Sequence, residues 1–180
     1  FSIASDTLLL QPGVSEYSFG IGQKRDQSRS GFQYEDQTIA LGSFQYGLTP
    51  NLTVGAYGYA SDEQSLAGTQ SVFGVLDGIA QLDFSVSDSD TSGSGFASSV
   101  DYRWNSSPSE PRAQSFAVAV DYRDENYAPA GSFFGSGQKL EASAFYERQL
   151  SERVRVSLAG NYSENYFTDS PSHSVSIGSS

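Results

Sequence analysis

The 180-residue sequence contains no cysteine, which excludes disulfides and thiolate metal sites. It has one histidine, and ten lysines and arginines stand against twenty-one aspartates and glutamates. The resulting net charge of −11 argues against nucleic-acid binding, because neutralising phosphates needs a basic surface. No run approaches the roughly 18 consecutive apolar residues of a membrane-spanning helix. Helical stripes of useful length are missing, as is any alternation of strand and helix signals. The chain starts at Phe1 with neither a methionine nor a signal peptide, as expected of a processed product or an excerpt. What it does have is eleven tyrosines, twelve phenylalanines and eighteen glycines, at low mean hydropathy. That mixture fits β-structure in which only half of each strand is apolar.

The tetrapeptide "VDYR" occurs at Val100–Arg103 and again at Val120–Arg123. In an extended strand Val and Tyr share one side, and Asp and Arg the other. The same period of two recurs along the chain. It is clearest at 79–88, where Ala80, Leu82, Phe84 and Val86 oppose Gln81, Asp83, Ser85 and Ser87. It returns at 96–104, 113–123, 138–149 and 153–163, with Phe145 out of phase on the polar side, and more weakly at 14–23, 37–47, 51–60, 70–76 and 173–178. About ten strands follow, most near ten residues long. Strands of that length cross a bilayer when tilted by about 45°. Soluble sandwich strands average about five or six residues.

Short connections are expected at Leu48–Asn51, Asp77–Gly78 and Leu150–Glu152, and a moderate one at Asn105–Pro111. Longer polar ones are expected near 24–36, 61–69, 89–94, 124–137 and 164–172. Long and short in alternation describe an up-and-down barrel wall with tight periplasmic turns and outward loops. The expected fold is thus an all-β, antiparallel, up-and-down transmembrane barrel wall, with residues 1–180 forming part of a single barrel domain. An ordinary antiparallel sheet with one solvated face, as in a secreted sandwich, yields the same alternation.

In the barrel reading, Tyr17, Phe84, Tyr102, Trp104, Tyr122, Tyr146 and Tyr162 face lipid, several of them at strand ends where an aromatic girdle belongs. Asp83, Asp101, Arg103, Asp121, Arg123, Glu141, Glu147, Arg153 and Arg155 face a hydrated interior. They either line a functional lumen or simply solvate the wet face. A three-residue turn at Leu150–Glu152 is expected to set Glu147 opposite Arg155. Motifs for chemistry are weak. His173 lacks an orienting carboxylate and a nucleophile turn, "DSDTSG" at 88–93 lacks the closing glutamate of a calcium loop, and "GIG" at 20–22 sits inside a strand. The expectation is a non-enzyme with no metal or cofactor.

The stretch "LLLQPGVSEYSFGIGQKR" (Leu8–Arg25) resembles the segment that follows the plug in outer-membrane ushers of the chaperone–usher pilus pathway. The family pattern reads roughly L-L-x-x-G-x-x-x-Y-x-x-x-x-G-x-x-R, matched by Leu9, Leu10, Gly13, Tyr17, Gly22 and Arg25. "YGLTPNLTVGAYGYA" (Tyr46–Ala60) is similar to the next signature, a strand, a Y-G-L-T turn and a strand. "GVLDGIAQLDFSVSDSD" (Gly74–Asp90) and "VAVDYRDENY" (Val118–Tyr127) match more loosely, the latter without the usual second tyrosine after arginine. The likeness covers roughly residues 5–130. It implies a fragment of a bacterial outer-membrane barrel of about 24 strands. Such a pore secretes and assembles folded pilus subunits, delivered by a periplasmic chaperone. The partners implied are pilus subunits, chaperone–subunit complexes and the lipid bilayer. The alternatives are a small complete outer-membrane barrel acting as a channel or adhesin, and a secreted sandwich that binds carbohydrate or protein.

Overall fold

The period of two is realised as ten strands in the computed structural model, which describes residues 9–28, 31–106, 113–132, 135, 137–151, 154–168 and 170–179. They are β1 (Ser15–Ser28), β2 (Gly31–Thr49), β3 (Leu52–Ser61), β4 (Gln64–Val75), β5 (Gly78–Ser89), β6 (Gly93–Asn105), β7 (Gln114–Arg123), β8 (Gln138–Ser151), β9 (Val154–Asn165) and β10 (Ser172–Ser179). Every pairing is antiparallel and each strand pairs with its neighbours in sequence, giving one ten-stranded sheet in the order β1 to β10. The described residues include no helix. The sheet is open, with β1 and β10 as its edges, so the all-β, up-and-down architecture is present without closure into a barrel.

Several expected connections turn out to be strand. Residues 24–28 and 31–36 extend the β1–β2 hairpin past a register shift between Gln23 and Arg25. Likewise β4 begins at Gln64 inside the loop expected over 61–69. Polar composition suggested loops there, but the backbone pairing continues through both stretches. The long–short rhythm of connections is therefore weaker than expected. At the end of the sheet carrying the β3–β4 and β5–β6 connections, only 124–137 and 166–171 are long.

Cross-strand partners share a face, so the register assigns each strand residue to one of two faces. One, the apolar face, carries Tyr17, Phe19 and Ile21 of β1, Leu82, Phe84 and Val86 of β5, Val100 and Tyr102 of β6, Val120 of β7 and Ile177 of β10. The other, the polar face, carries Ser, Gly, Asn, Gln and charged residues, and Phe145 sits there opposite Ala117 and Ala159. A row of directly opposed residues runs from Ser15 through Val54, Leu82 and Val120 to His173. It starts at the first residue of β1, at one end of the sheet, and leaves one residue inside β10, at the opposite end. Strand midpoints thus slide by about one residue per strand, about 3.3 Å for each ~4.8 Å of spacing, an inclination of about 35°.

The turn between β4 and β5 differs from expectation in a useful way. Its central residues are Leu76 and Asp77, at φ of 51° and 58°, and Gly78 already belongs to β5. Two successive positive φ values make a primed hairpin turn, which Asn-Gly fits and Leu does not. Leu76→Asn with Asp77→Gly is expected to stabilise the sheet by about 1 kcal/mol, read from denaturant midpoints. A loss of stability instead would show that Leu76, 82% exposed, makes a favourable contact outside the turn.

Candidate functional site: the polar face

Burial is inverted relative to a water-soluble sheet. The buried strand residues Thr53, Tyr59, Gln64, Leu66, Gln70, Val72, Ser85, Ser87 and Ser89 all lie on the polar face. The large exposed residues of the strands lie almost entirely on the apolar face, from Phe19 at 81% to Ile177 at 78%. Two segments outside the strands shelter the polar side, and no layer covers the other among the described residues.

The first covering segment is Leu9–Gly13. Leu10 donates its amide to Thr53 Oγ1 at 2.8 Å, Gly13 donates to the Gly47 carbonyl at 2.9 Å, and Gly47 donates to Val14 at 2.9 Å. The segment passes so close that a Cβ on Gly47 would stand 2.3 Å from the Gln11 carbonyl oxygen. Thr53, Gly47 and Gly74 all belong to the polar face, so the chain reaches β1 from that side.

The second is the β7–β8 connection. Asp124 continues from β7 by donating to the Phe96 carbonyl, and Asn126 donates to Asp124 Oδ1 at 3.0 Å to close a turn. The chain then doubles back over β6, β5 and β4. Tyr127 meets Ser85 hydroxyl to hydroxyl at 2.9 Å, and Ala128 donates to Ser87 Oγ at 2.9 Å. Gln64 clasps the segment three times: its Nε2 donates to the carbonyls of Ala128 and Pro129, both at 2.8 Å, and its Oε1 accepts from Gly131 at 3.0 Å. The Tyr127 ring packs against Tyr59 and Leu66. Beneath it lies a cavity of about 300 Å³ lined by Tyr57, Asp83, Asp121, Arg123, Tyr127 and Pro129 among others.

The charges expected in a lumen share this face: Asp83, Asp101, Arg103, Asp121, Arg123, Glu141, Glu147 and Arg155. Arg153 lies outside the described residues. Asp83, Ser99, Asp121 and Glu141 form one cross-strand row. Tyr57 donates its hydroxyl to the Asp83 carboxylate. Arg123 donates to Gln138 Oε1 at 3.2 Å, and Gln138 Nε2 donates to Glu141 at 2.6 Å, so an amide links base and acid. Tyr166, beyond the end of β9, donates to the Arg123 carbonyl at 2.8 Å, and burial, with Tyr122 beside it, pushes its ionisation up to about 12. The hydroxyl therefore stays protonated at neutral pH.

The expected register at Leu150–Glu152 is overturned. Pairing runs on to Ser151 with Val154 and, after a shift between Gln149 and Ser151, sets Ser157 opposite Glu147 and Gln149 opposite Arg155. Glu147 is Arg155's diagonal neighbour instead, and long side chains still reach along that diagonal. Arg155 Nε lies 3.5 Å from Glu147 Oε1.

The aromatic residues named above, Tyr17, Phe84, Tyr102, Trp104, Tyr122, Tyr146 and Tyr162, share the opposite, apolar face. Four of them, with Phe96 and Phe116, form two groups. Trp104, Phe116 and Tyr146 are directly opposed near one end, while Phe84, Phe96 and Tyr122 cluster near the other with ring centroids 6.2 and 5.6 Å apart. Val100, Val120, Ala142 and Gly160 occupy the middle.

The motifs with catalytic overtones are dispersed by the fold. His173 is on the apolar face opposite Tyr162, whereas Ser172 and Ser174 are on the polar face. "DSDTSG" closes the β5–β6 hairpin, where Asp88 accepts from Ser94, and Gly20–Gly22 lies within β1. The residues that sequence reasoning passed over are Gln64, Ser85, Ser87 and Tyr127. Their one sequence signal is Gly95, a glycine on the same face where a Cβ would stand 2.2 Å from the Tyr127 amide nitrogen. No protein-family model matches this chain, and neither does any curated protein.

Proposed function

We propose that this chain is part of the wall of an outer-membrane pore of the chaperone–usher kind. Folded pilus subunits, handed over by a periplasmic chaperone, are secreted and assembled through it. The observation that carries the reading is the inverted burial, with a bare apolar face and a sheltered polar one. A contiguous apolar surface of this extent needs a covering, and lipid is the covering that a single-layer sheet takes. The two aromatic groups support it. Phe96 and Trp104 are eight residues apart on β6, about 27 Å along the strand and about 22 Å once inclined, against an apolar band of about 25 Å in outer-membrane barrels.

The usher part of the proposal rests on the resemblance of Leu8–Arg25 and Tyr46–Ala60. It gains support from Leu9–Gly13, which lies on the polar face where a chain emerging from a plug would lie. The polar face itself suits cargo that must pass without being gripped, because it is lined by serine, glycine and mixed charge rather than by an apolar pocket. No reaction, cofactor or metal enters this mechanism.

The test is reconstitution. The whole barrel that contains this wall is expected to need detergent, to insert into vesicles, and to release solutes the size of small folded proteins. A monodisperse, detergent-free protein would sink the membrane reading. Conductance steps of ion-channel size, with large solutes retained, would replace the usher with a small closed barrel.

A further inference from the structure

We infer that the β7–β8 connection, Asp124–Ser132, is a hinged strap that narrows the pore and lifts off the wall when cargo passes. The inference rests on the pore reading above. A rim loop would project from the strand ends, but this one reverses onto the polar face and crosses from β7 to β4, about 14 Å at ordinary strand spacing. Any passage bounded by this face is narrower by the thickness of that segment.

Two features make the strap separable from the wall. The ladders joining β3 through β7 are continuous without it, so its removal breaks no strand pairing. Beyond the Asp124 amide on the Phe96 carbonyl at its root, the attachments described run through a few side chains: Gln64 with three hydrogen bonds, Ser85 and Ser87 with one each, and Tyr127 in a small apolar patch. A segment held by few local contacts opens independently of the surrounding fold. Its seat is also shaped for it. Gly95 leaves room for the backbone of Asn126 and Tyr127, where a methyl group would lie 2.5 and 2.2 Å from their atoms. An alanine there keeps β6 extended and unseats the strap.

The chain has no cysteine, so Ala128→Cys, at a position with 0% exposure, reports strap opening by its rate of reaction with a charged maleimide. Gln64→Leu removes three hydrogen bonds and is expected to raise that rate by about 100-fold. Gly95→Ala is expected to raise it comparably. Gly22→Ala, on the same face with nothing within 4 Å of its added methyl, leaves it unchanged. Should Ala128→Cys fail to fold, Ala130→Cys serves as the reporter.

The same substitutions, without the reporter and placed in the whole barrel, are measured for single-channel conductance in planar bilayers. The expected result is larger steps for Gly95→Ala and Gln64→Leu than for the parent or Gly22→Ala. Faster labelling with unchanged steps would overturn the strap as a restriction, and unchanged labelling would overturn it as a movable element. Faster labelling in inserted protein that gives no steps in any variant would instead overturn the pore itself.

Discussion

Val100→Arg is expected to destabilise the protein in lipid vesicles by about 2–4 kcal/mol, the cost of a cation at the middle of an outer-membrane barrel's lipid face. Ser99→Arg, one residue away, is expected to stay within about 0.5 kcal/mol of the parent. The contrast follows from the register. Val100 stands between Leu82 and Val120 on the apolar face, while Ser99 stands between Asp83 and Asp121 on the polar one. An arginine at 99 enters the open polar cavity beside the strap and finds two carboxylates. At 100, on the proposed lipid face, it would meet hydrocarbon, and its side chain would have to bend towards a headgroup region several residues away. Position along the strand refines the test. Val75 shares the apolar face but lies at the end of β4, beside the turn, where an arginine is expected to cost about 0–1 kcal/mol. Urea titration of the three variants in vesicles checks the order. Val100 is 49% exposed, so if that face stood in water its substitution would change little. Equal stabilities at 100 and 99 would thus remove the case for lipid.

The second large effect is expected at Gly47. A methyl group there collides with the backbone of Leu10 and Gln11, at 2.8 and 2.3 Å, and backbone atoms cannot rotate aside as a side chain would. Gly47→Ala is expected to displace Leu9–Gly13, with the loss of the bonds from Leu10 to Thr53, Gly13 to Gly47 and Gly47 to Val14. At about 1 kcal/mol for each bond, the cost is about 3 kcal/mol. It falls on the segment and not on the sheet, because β2, β3 and β4 remain paired. Hydrogen exchange separates the two: faster exchange at Leu10 and Gly13, with β3 amides unchanged, is the expected pattern. Global loss of protection would mean that the segment is part of what holds the wall together.

How much of this was legible beforehand depends on which force decides each feature. The two faces were, because alternation of polar and apolar residues in an extended strand separates them directly. Asp83, Asp101, Asp121 and Glu141 fall together on one side, and Tyr102, Trp104 and Tyr146 on the other. Strand ends were less so. The sequence of residues 24–36 carries no alternation, yet Arg25–Ser28 pair with Gly31–Tyr34. The β8–β9 register was missed by two residues because pairing runs on to Ser151 and Val154, past the turn expected at Leu150–Glu152, and the bulge at Gln149–Ser151 takes back only one residue of that difference. The strap was hidden for a different reason. It is decided by contacts between residues about 40 to 67 positions apart, such as Ser87 with Ala128 and Gln64 with Gly131, which a local window does not see. Gly95 held the one hint, and a glycine in a strand has several meanings.

The neighbour-to-neighbour order of the ten strands also bears on how the protein is built. Each strand after the first finds its template in the strand made just before it, so the sheet can grow one hairpin at a time with short loops to close. The connection after β7 obeys a different clock. Its seat is on β4, β5 and β6, and the Gln64 clasp joins positions 64 to 67 residues apart. That seat must exist before Tyr127 has anywhere to go. That seat is complete once β6 is in place, so the segment can dock as soon as β7 is laid down, before β8, β9 and β10 join the sheet.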